Sequence, residues 1–166
     1  VLFVVALATS VQAADADNDT LDDSWELTYF GSTLLYGPSD DPDDDGLDNS
    51  AEQSLATAPN NADSDADGLT DGLEVTAELD PLNPDVDGDG LCDGPGSTAI
   101  CVAGEDLNAD GVINPGESDP NRRDSDGGLS SDYVEVIVDG TDPLNGEDDL
   151  YDSDGDGIPD RLEWVG

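Results

Sequence analysis

The chain has 166 residues, with 43 Asp and Glu against 3 Lys and Arg, and no histidine or methionine. A formal charge of −40 repels nucleic acid and anionic membrane surfaces alike, and the lack of histidine excludes histidine catalysis. After residue 13, Leu, Ile, Val and Phe make up 29 of 153 residues, below the roughly 20% at which a highly charged chain is expected to lack a hydrophobic core. Either the chain is disordered, or something positive stands in for the core.

Residues 1–14, VLFVVALATSVQAA, read as a signal-peptide apolar region followed by a VQA cleavage site. The stretch is too short to span a membrane. A retained inter-subunit element is the competing reading. As a strand, it would place Val1, Phe3, Val5 and Leu7 on one face and Leu2, Val4 and Ala6 on the other. Both faces are then apolar and need a partner surface, which strand addition or a helix seam on a neighbouring subunit would supply.

From Asp15 onward the acids recur in register. The first twelve-residue run, DADNDTLDDSWE, puts Asp15, Asp17, Asp19, Asp23 and Glu26 at positions 1, 3, 5, 9 and 12, with Thr20 at position 6. The second, DPDDDGLDNSAE, puts Asp41, Asp43, Asp45, Asn49 and Glu52 there. The third, DSDADGLTDGLE, has Asp63, Asp65, Asp67, Asp71 and Glu74, with Gly68 at position 6. The fourth begins with Asp85, Asp87, Asp89 and Asp93 but has Gly96 at position 12. In the fifth, DLNADGVINPGE, the same positions hold Asp106, Asn108, Asp110, Asn114 and Glu117. The sixth, DSDGGLSSDYVE, has Asp124, Asp126, Asp132 and Glu135, with Gly128 at position 5. The seventh, DSDGDGIPDRLE, has Asp152, Asp154, Asp156, Asp160 and Glu163.

This is the arrangement of an EF-hand calcium loop. Alternate side chains converge as the backbone wraps round one point, and Gly at position 6 permits a turn with positive φ. Position 7 offers a backbone carbonyl, here from Leu21, Leu47, Leu69, Leu91, Val112 and Ile158. Glu at position 12 closes the shell with two oxygens. Hard oxygen donors at this density, with no histidine or thiolate cluster, select Ca²⁺ over zinc or copper. Thirty of the 43 acids fall at these positions. Five loops are intact and two degenerate, so five to seven Ca²⁺ are expected. Without them the carboxylates repel and the chain expands, so metal binding and folding form one equilibrium.

Cys92 and Cys101 bracket DGPGSTAI and read as a disulfide in an oxidising compartment. They close an insertion in the one loop without a twelfth-position acid. Glu105, just beyond it, is the candidate replacement.

Successive loops start 18 to 28 residues apart, too close for paired EF-hand helices. Each Glu is followed by a short helical stretch and a proline connection. Residues 80–84 (DPLNP) and 141–145 (TDPLN) are near-duplicates. Proline ends the helical turn and sets an extended approach to the next loop. Position 7 and position 11 (Trp25, Ala51, Leu73, Val134, Leu162) supply apolar staples. The richest patch is Trp25, Leu27, Tyr29, Phe30, Leu34, Leu35 and Tyr36, expected to pack between neighbouring units.

The D-x-D-x-D-G-L-x-D-x-x-E units joined by T-D-P-L-N turns resemble bacterial thrombospondin type 3 repeats. DDSWELTYFG (residues 22–31) resembles a lead-in unit of such arrays. The resemblance covers residues 15–166 and implies calcium-wrapped, non-enzymatic segments of secreted and surface proteins. The regular disulfides of animal members are missing here, and seven loops argue against the two-loop dockerin, which individual loops also resemble.

The expected fold is mostly irregular: an elongated array of calcium-stapled loops with short helical turns and little sheet. The expected organisation is an apolar segment at 1–14, repeats one to three at 15–84, a degenerate disulfide-bearing repeat at 85–105, and repeats five to seven at 106–166. The expected function is an extracellular calcium-binding stalk, spacer or filament subunit, not an enzyme. It either self-associates into a fibre or docks on a neighbouring domain. The alternative is a calcium-binding appendage of a secreted enzyme or adhesin whose functional domain lies outside this chain. A soluble calcium buffer fits poorly, since it needs neither an apolar segment nor a proline-spaced array.

Overall fold

The computed structural model describes residues 14–149. Residues 1–13 and the seventh loop, with its ligand candidates Asp152, Asp154, Asp156, Asp160 and Glu163, the Ile158 carbonyl and the Leu162 staple, lie outside that span. Among the described residues there are three short α-helices and no strand. They are α1 (Asp23–Tyr29), α2 (Asn49–Leu55) and α3 (Asp71–Thr76), followed by a π-helical segment, Val134–Asp139. Everything else is turn and loop apart from one parallel bridge between Cys92 and Gly104. The expectation of a mostly irregular fold with short helical turns and little sheet holds.

Each helix starts at loop position 9, for a local reason. In α1 and α2 the residue before the helix caps the first turn: Asp22 accepts from the Ser24 and Trp25 amides, and Asp48 from the Ala51 amide, while Thr70 before α3 makes no side-chain cap. Acids in the first turn also suit the positive end of the helix dipole. Helical pitch then places position 12 one turn above position 9 on the same face, and the backward tilt of helical side chains turns its Glu toward the loop. In α1 the Glu26 carbonyl is taken by the Phe30 amide, four residues on (2.7 Å), whereas in α2, α3 and the π-helical segment the Glu carbonyl is taken by the amide five residues on. Thr57 donates to Glu52 (3.2 Å), Leu79 to Glu74 (2.8 Å) and Gly140 to Glu135 (2.7 Å). These wide closing turns fix the Glu backbone at the helix end.

The proline connections repeat in structure as in sequence. Asn83 N–H reaches Asp80 O and Asn145 N–H reaches Asp142 O, both at 2.9 Å, while Leu82 and Leu144 donate to the Asp80 and Asp142 carboxylates.

The chain divides into two compact units, Val1–Asn60 and Asn61–Gly166. The first holds loops one and two, the second the rest. Apolar burial is slight: Leu21, Leu47, Leu69 and Leu91, all at position 7, with Leu79 and the cystine. In the first unit Trp25 stacks near Tyr29 (5.2 Å) and Phe30 (5.6 Å), and Phe30 near Tyr36 (4.8 Å). The rest of the expected packing patch does not pack: Leu27, Leu34 and Leu35 are exposed, Leu34 at 80%. They sit on the outer face of α1 and on the turn beyond it, where the described residues of the first unit offer no second apolar layer. In the second unit, contacts skip a loop. Asp89 Oδ2 accepts from Tyr133 N–H (2.6 Å), and Arg123 donates to Gly88 O (2.9 Å). Loop four therefore touches loop six as well as its sequence neighbours.

Within the described loops, side-chain-bearing residues take left-handed backbone at two positions. Position 6 has φ of 90–109° at Thr20, Gly46, Gly68 and Gly90. Position 4 also turns left-handed, at Asn18, Asp44, Ala66, Gly88, Ala109 and Gly127. Only the first was expected from sequence. Thr20, β-branched at φ 90°, is the most costly, since a left-handed conformation penalises a side-chain-bearing residue by roughly 1–2 kcal/mol. Thr20→Gly is expected to stabilise the first unit by about 1 kcal/mol, read as a raised midpoint in calcium-saturated denaturant unfolding.

Candidate metal centres

The loops are built by their own acids. Asp at position 1 accepts the amides that wrap past it: Ala66 (2.7 Å) and Gly68 (3.1 Å) to Asp63, Gly88 (2.9 Å) and Gly90 (3.1 Å) to Asp85, Gly111 (2.7 Å) to Asp106. Asp15, Asp41 and Asp124 do the same. Asp at position 5 accepts the position 7 amide in each of the five described loops that have it. The pairs are Leu21 to Asp19, Leu47 to Asp45, Leu69 to Asp67, Leu91 to Asp89 and Val112 to Asp110, at 2.7–2.9 Å. One oxygen thus anchors the carboxylate while others are aimed inward. Asp17 Oδ1, Asp41 Oδ1, Asp65 Oδ2, Asp87 Oδ2 and Asp126 Oδ2 are buried and meet no donor. Ligand oxygens lie within 4.8 Å of one another in the groups Asp15–Asp17–Asp19, Asp17–Asp23–Glu26, Asp41–Asp43–Asp45 and Asp63–Asp65–Asp67.

Position 12 carries the strongest signal. Glu26, Glu52, Glu74 and Glu135 are all 0% exposed, and no donor reaches either oxygen of Glu26, Glu74 or Glu135. Burial, then the charges of Asp65 and Asp67, pushes the Glu74 carboxyl up to about 9. Burial raises Glu135 to about 8 and Glu26 above its ordinary value. Asp65 and Asp93 rise to about 7 and Asp87 to about 6, burial being the first cause in each. Among the described residues, thirteen carboxylates are buried against five leucines. Several buried carboxylates in contact are not stable without a cation, because each loses hydration and repels the next. The donor set is all oxygen, and both cysteines are in the disulfide. These residues fit a hard, oxygen-seeking divalent cation of Ca²⁺ type.

Position 9 does something else besides. Asp23, Asp71, Asp93 and Asp132 each accept the position 2 amide, at 2.7–3.0 Å, and so latch the start of the loop to its ninth position, which in loops one and three is the start of the helix. Ser64 and Ser125 add a hydroxyl to the second oxygen of Asp71 (2.7 Å) and Asp132 (2.6 Å). With both oxygens engaged, these two reach an ion most readily through a water, as position 9 commonly does. Asp93 keeps Oδ2 free of donors. Loop two has Pro42 at position 2, which lacks an amide, and Asn49 turns its Nδ2 to Gly37 O instead (2.8 Å).

Loop five is assembled differently. Glu117 accepts the Leu107 and Asn114 amides, at 3.1 and 2.8 Å, and takes over the latch. Asn114 Nδ2 donates to Val112 O and to both Asp110 oxygens. Asn108 and Asp110 are exposed, and Val112 is 60% exposed. Pro115 and Gly116 follow directly, and no helix forms among these residues.

Loop four is closed from outside itself. Cys92 N–H reaches Ala103 O, Glu105 N–H reaches Cys92 O, and Asp106 N–H reaches Asp93 O, at 2.9–3.0 Å. The Cys92–Cys101 disulfide, Cα to Cα 5.1 Å, joins the ends of the insertion and lays 103–106 alongside 92–93. Glu105 is thereby buried, at 1% exposure, and is pushed up to about 9 by burial and then by Asp87. Gly96, at the formal twelfth position, instead donates to Asp67 O. A Cβ there would collide with that carbonyl, so an acid has no room.

Three segments match the bacterial TSP3 repeat: residues 63–84, 131–146 and 152–163. They span loop three with its proline connection, the helical end of loop six with the second such connection, and loop seven. The chain therefore carries repeats of this class, and they indicate a calcium-binding repeat protein. Comparison with curated proteins and with solved structures finds no match. No helix among the described residues is long and apolar enough to cross a membrane.

Proposed function

We propose that this chain is an extracellular structural protein whose loops are folded by bound Ca²⁺, acting as a stalk, spacer or filament subunit with no catalytic role. The observation that carries this reading is the fully buried Glu at position 12 in four loops, with donor-free oxygens in three. Bound Ca²⁺ supplies the positive charge that a −40 chain does not make for itself. The chain's residues do the rest. Positions 1 and 5 fold the loop by accepting its amides, position 9 latches it, and position 12 closes it from the first helical turn. Glu105 is the closing acid of loop four. A disulfide and acidic surfaces both suit an extracellular setting, where calcium is abundant.

The appendage alternative uses the same sites and differs only in self-association. Sedimentation of the purified chain in millimolar calcium, with and without residues 1–12, separates the two. Polymers that disappear on deletion, with calcium binding retained, support a filament. Monomers in both preparations support a spacer or appendage. Identical hydrodynamics with calcium and with chelator would contradict a calcium-built structural element of either kind.

A further inference from the structure

Loop six has lost its fifth-position acid: Gly128 stands where five other described loops carry Asp. We propose that Asp149, from the connection that leads to the next loop, supplies this missing carboxylate and completes a calcium site in loop six. The inference rests on the calcium reading above and adds to it a ligand that lies outside the twelve-residue pattern.

In the five loops with Asp at position 5, that carboxylate accepts the position 7 amide. In loop six, position 7 is Ser130. Its amide donates to Asp149 Oδ2 (3.1 Å), and the Leu129 amide donates to the same oxygen. Asp149 thus makes the bond that defines position 5, from 21 residues further along the chain. Gly128 is what admits it, because a Cβ at 128 would collide with the Asp149 carboxylate. Gly146 contributes in the same way: its α-carbon substituent position lies 3.2 Å from Asp126 Oδ1 and from Gly128 Cα, so the connection passes hard against the loop. The two glycines are a fitted opening rather than a lost ligand.

The surroundings independently call for a cation. Glu135 is 0% exposed and no donor reaches either of its oxygens, and Asp126 Oδ2 is likewise buried without a donor. Asp149, 4% exposed, lies beside both, and its charge acts on Asp126 and Glu135 alike. A third buried carboxylate brought to two others raises their repulsion unless an ion sits among them. With Asp149 the loop regains acids in the roles of positions 1, 3, 5, 9 and 12. The same logic operates in loop four, where Glu105 immediately precedes loop five. Each degenerate loop takes its missing acid from the approach to the following loop.

The test counts ions on the full chain by native mass spectrometry across a series of free calcium concentrations. Asp149→Asn keeps an oxygen for the Ser130 and Leu129 amides but removes the charge. It is expected to bind one ion fewer than the unaltered chain, or to need at least tenfold more calcium for the last ion. Glu147→Gln, the same charge change at an exposed neighbour, should leave count and affinity unchanged. Moving the carboxylate back into the loop with Gly128→Asp in an Asp149→Ala background should restore the lost ion. A full count at unaltered affinity in Asp149→Asn would overturn the role of Asp149 while leaving the calcium reading intact. No bound calcium in the unaltered chain would overturn both.

Discussion

Removing calcium is expected to convert the chain from its compact units to an expanded coil. Seven buried apolar residues, two of them half-cystines, are the whole apolar core of the described residues, against thirteen buried carboxylates. That apolar burial cannot offset the ordering of the backbone, which costs on the order of 1–2 kcal/mol per residue. Once the cation is gone, Glu74, Asp65, Asp67 and Asp71 face one another in a dry pocket, and the cheapest relief is to separate them in water. Small-angle scattering in chelator should give a radius of gyration approaching about 43 Å, the value for an unfolded chain of this length. Helical circular dichroism should be lost with it, because α1, α2 and α3 are six or seven residues long and do not persist in isolation. The disulfide will hold residues 92–101 together, but it closes only a short loop. Scattering that does not change on chelation would place the stabilisation elsewhere.

Acid is expected to restore compactness to the chelated chain. In the metal-free fold Glu74 and Glu105 are raised to about 9, Glu135 to about 8 and Asp93 to about 7, from ordinary values of 4.5 for Glu and 3.8 for Asp. Burial leads in every case. The folded state therefore binds more protons than the unfolded state between about pH 4 and pH 9, and stability falls as pH rises through that window. The contribution is fully present below the unfolded values and is lost as pH passes the raised folded ones. Chelated protein taken from pH 8 to pH 5 should shrink, as measured by scattering or size exclusion. With calcium present the sign reverses, because protons compete with the ion for the same oxygens. Calcium affinity should weaken over the same descent.

Much of this was legible from spacing alone. Acids at positions 1, 3, 5 and 12 with Gly at 6 are a local code, and local codes survive into structure because the loop folds on itself. The burial of Leu21, Leu47, Leu69 and Leu91 at position 7 follows for the same reason, as do the twin turns at 80–84 and 142–145. Glu105 could be singled out because Cys92 and Cys101 marked an insertion in the one loop lacking a closing acid. What depends on another segment was not legible. Nothing local shows that Asp67 is held by Gly94 and Asp89 by Tyr133, or that Gly128 leaves room for Asp149. The latch at position 9 did leave a trace, in Ser64 and Ser125 at position 2. The exposure of Leu27, Leu34 and Leu35 reflects the thinness of the apolar layer, which composition announced but single residues did not.

The central claim is that calcium stands where a hydrophobic core would be, with one ion for each closed loop. Native mass spectrometry of the 166-residue chain in millimolar calcium, after exchange into a volatile buffer, counts the ions directly. Five to seven tightly bound Ca²⁺, lost together with the compact charge-state distribution on chelation, is the expected result. Two ions or fewer on a chain that stays compact would contradict it.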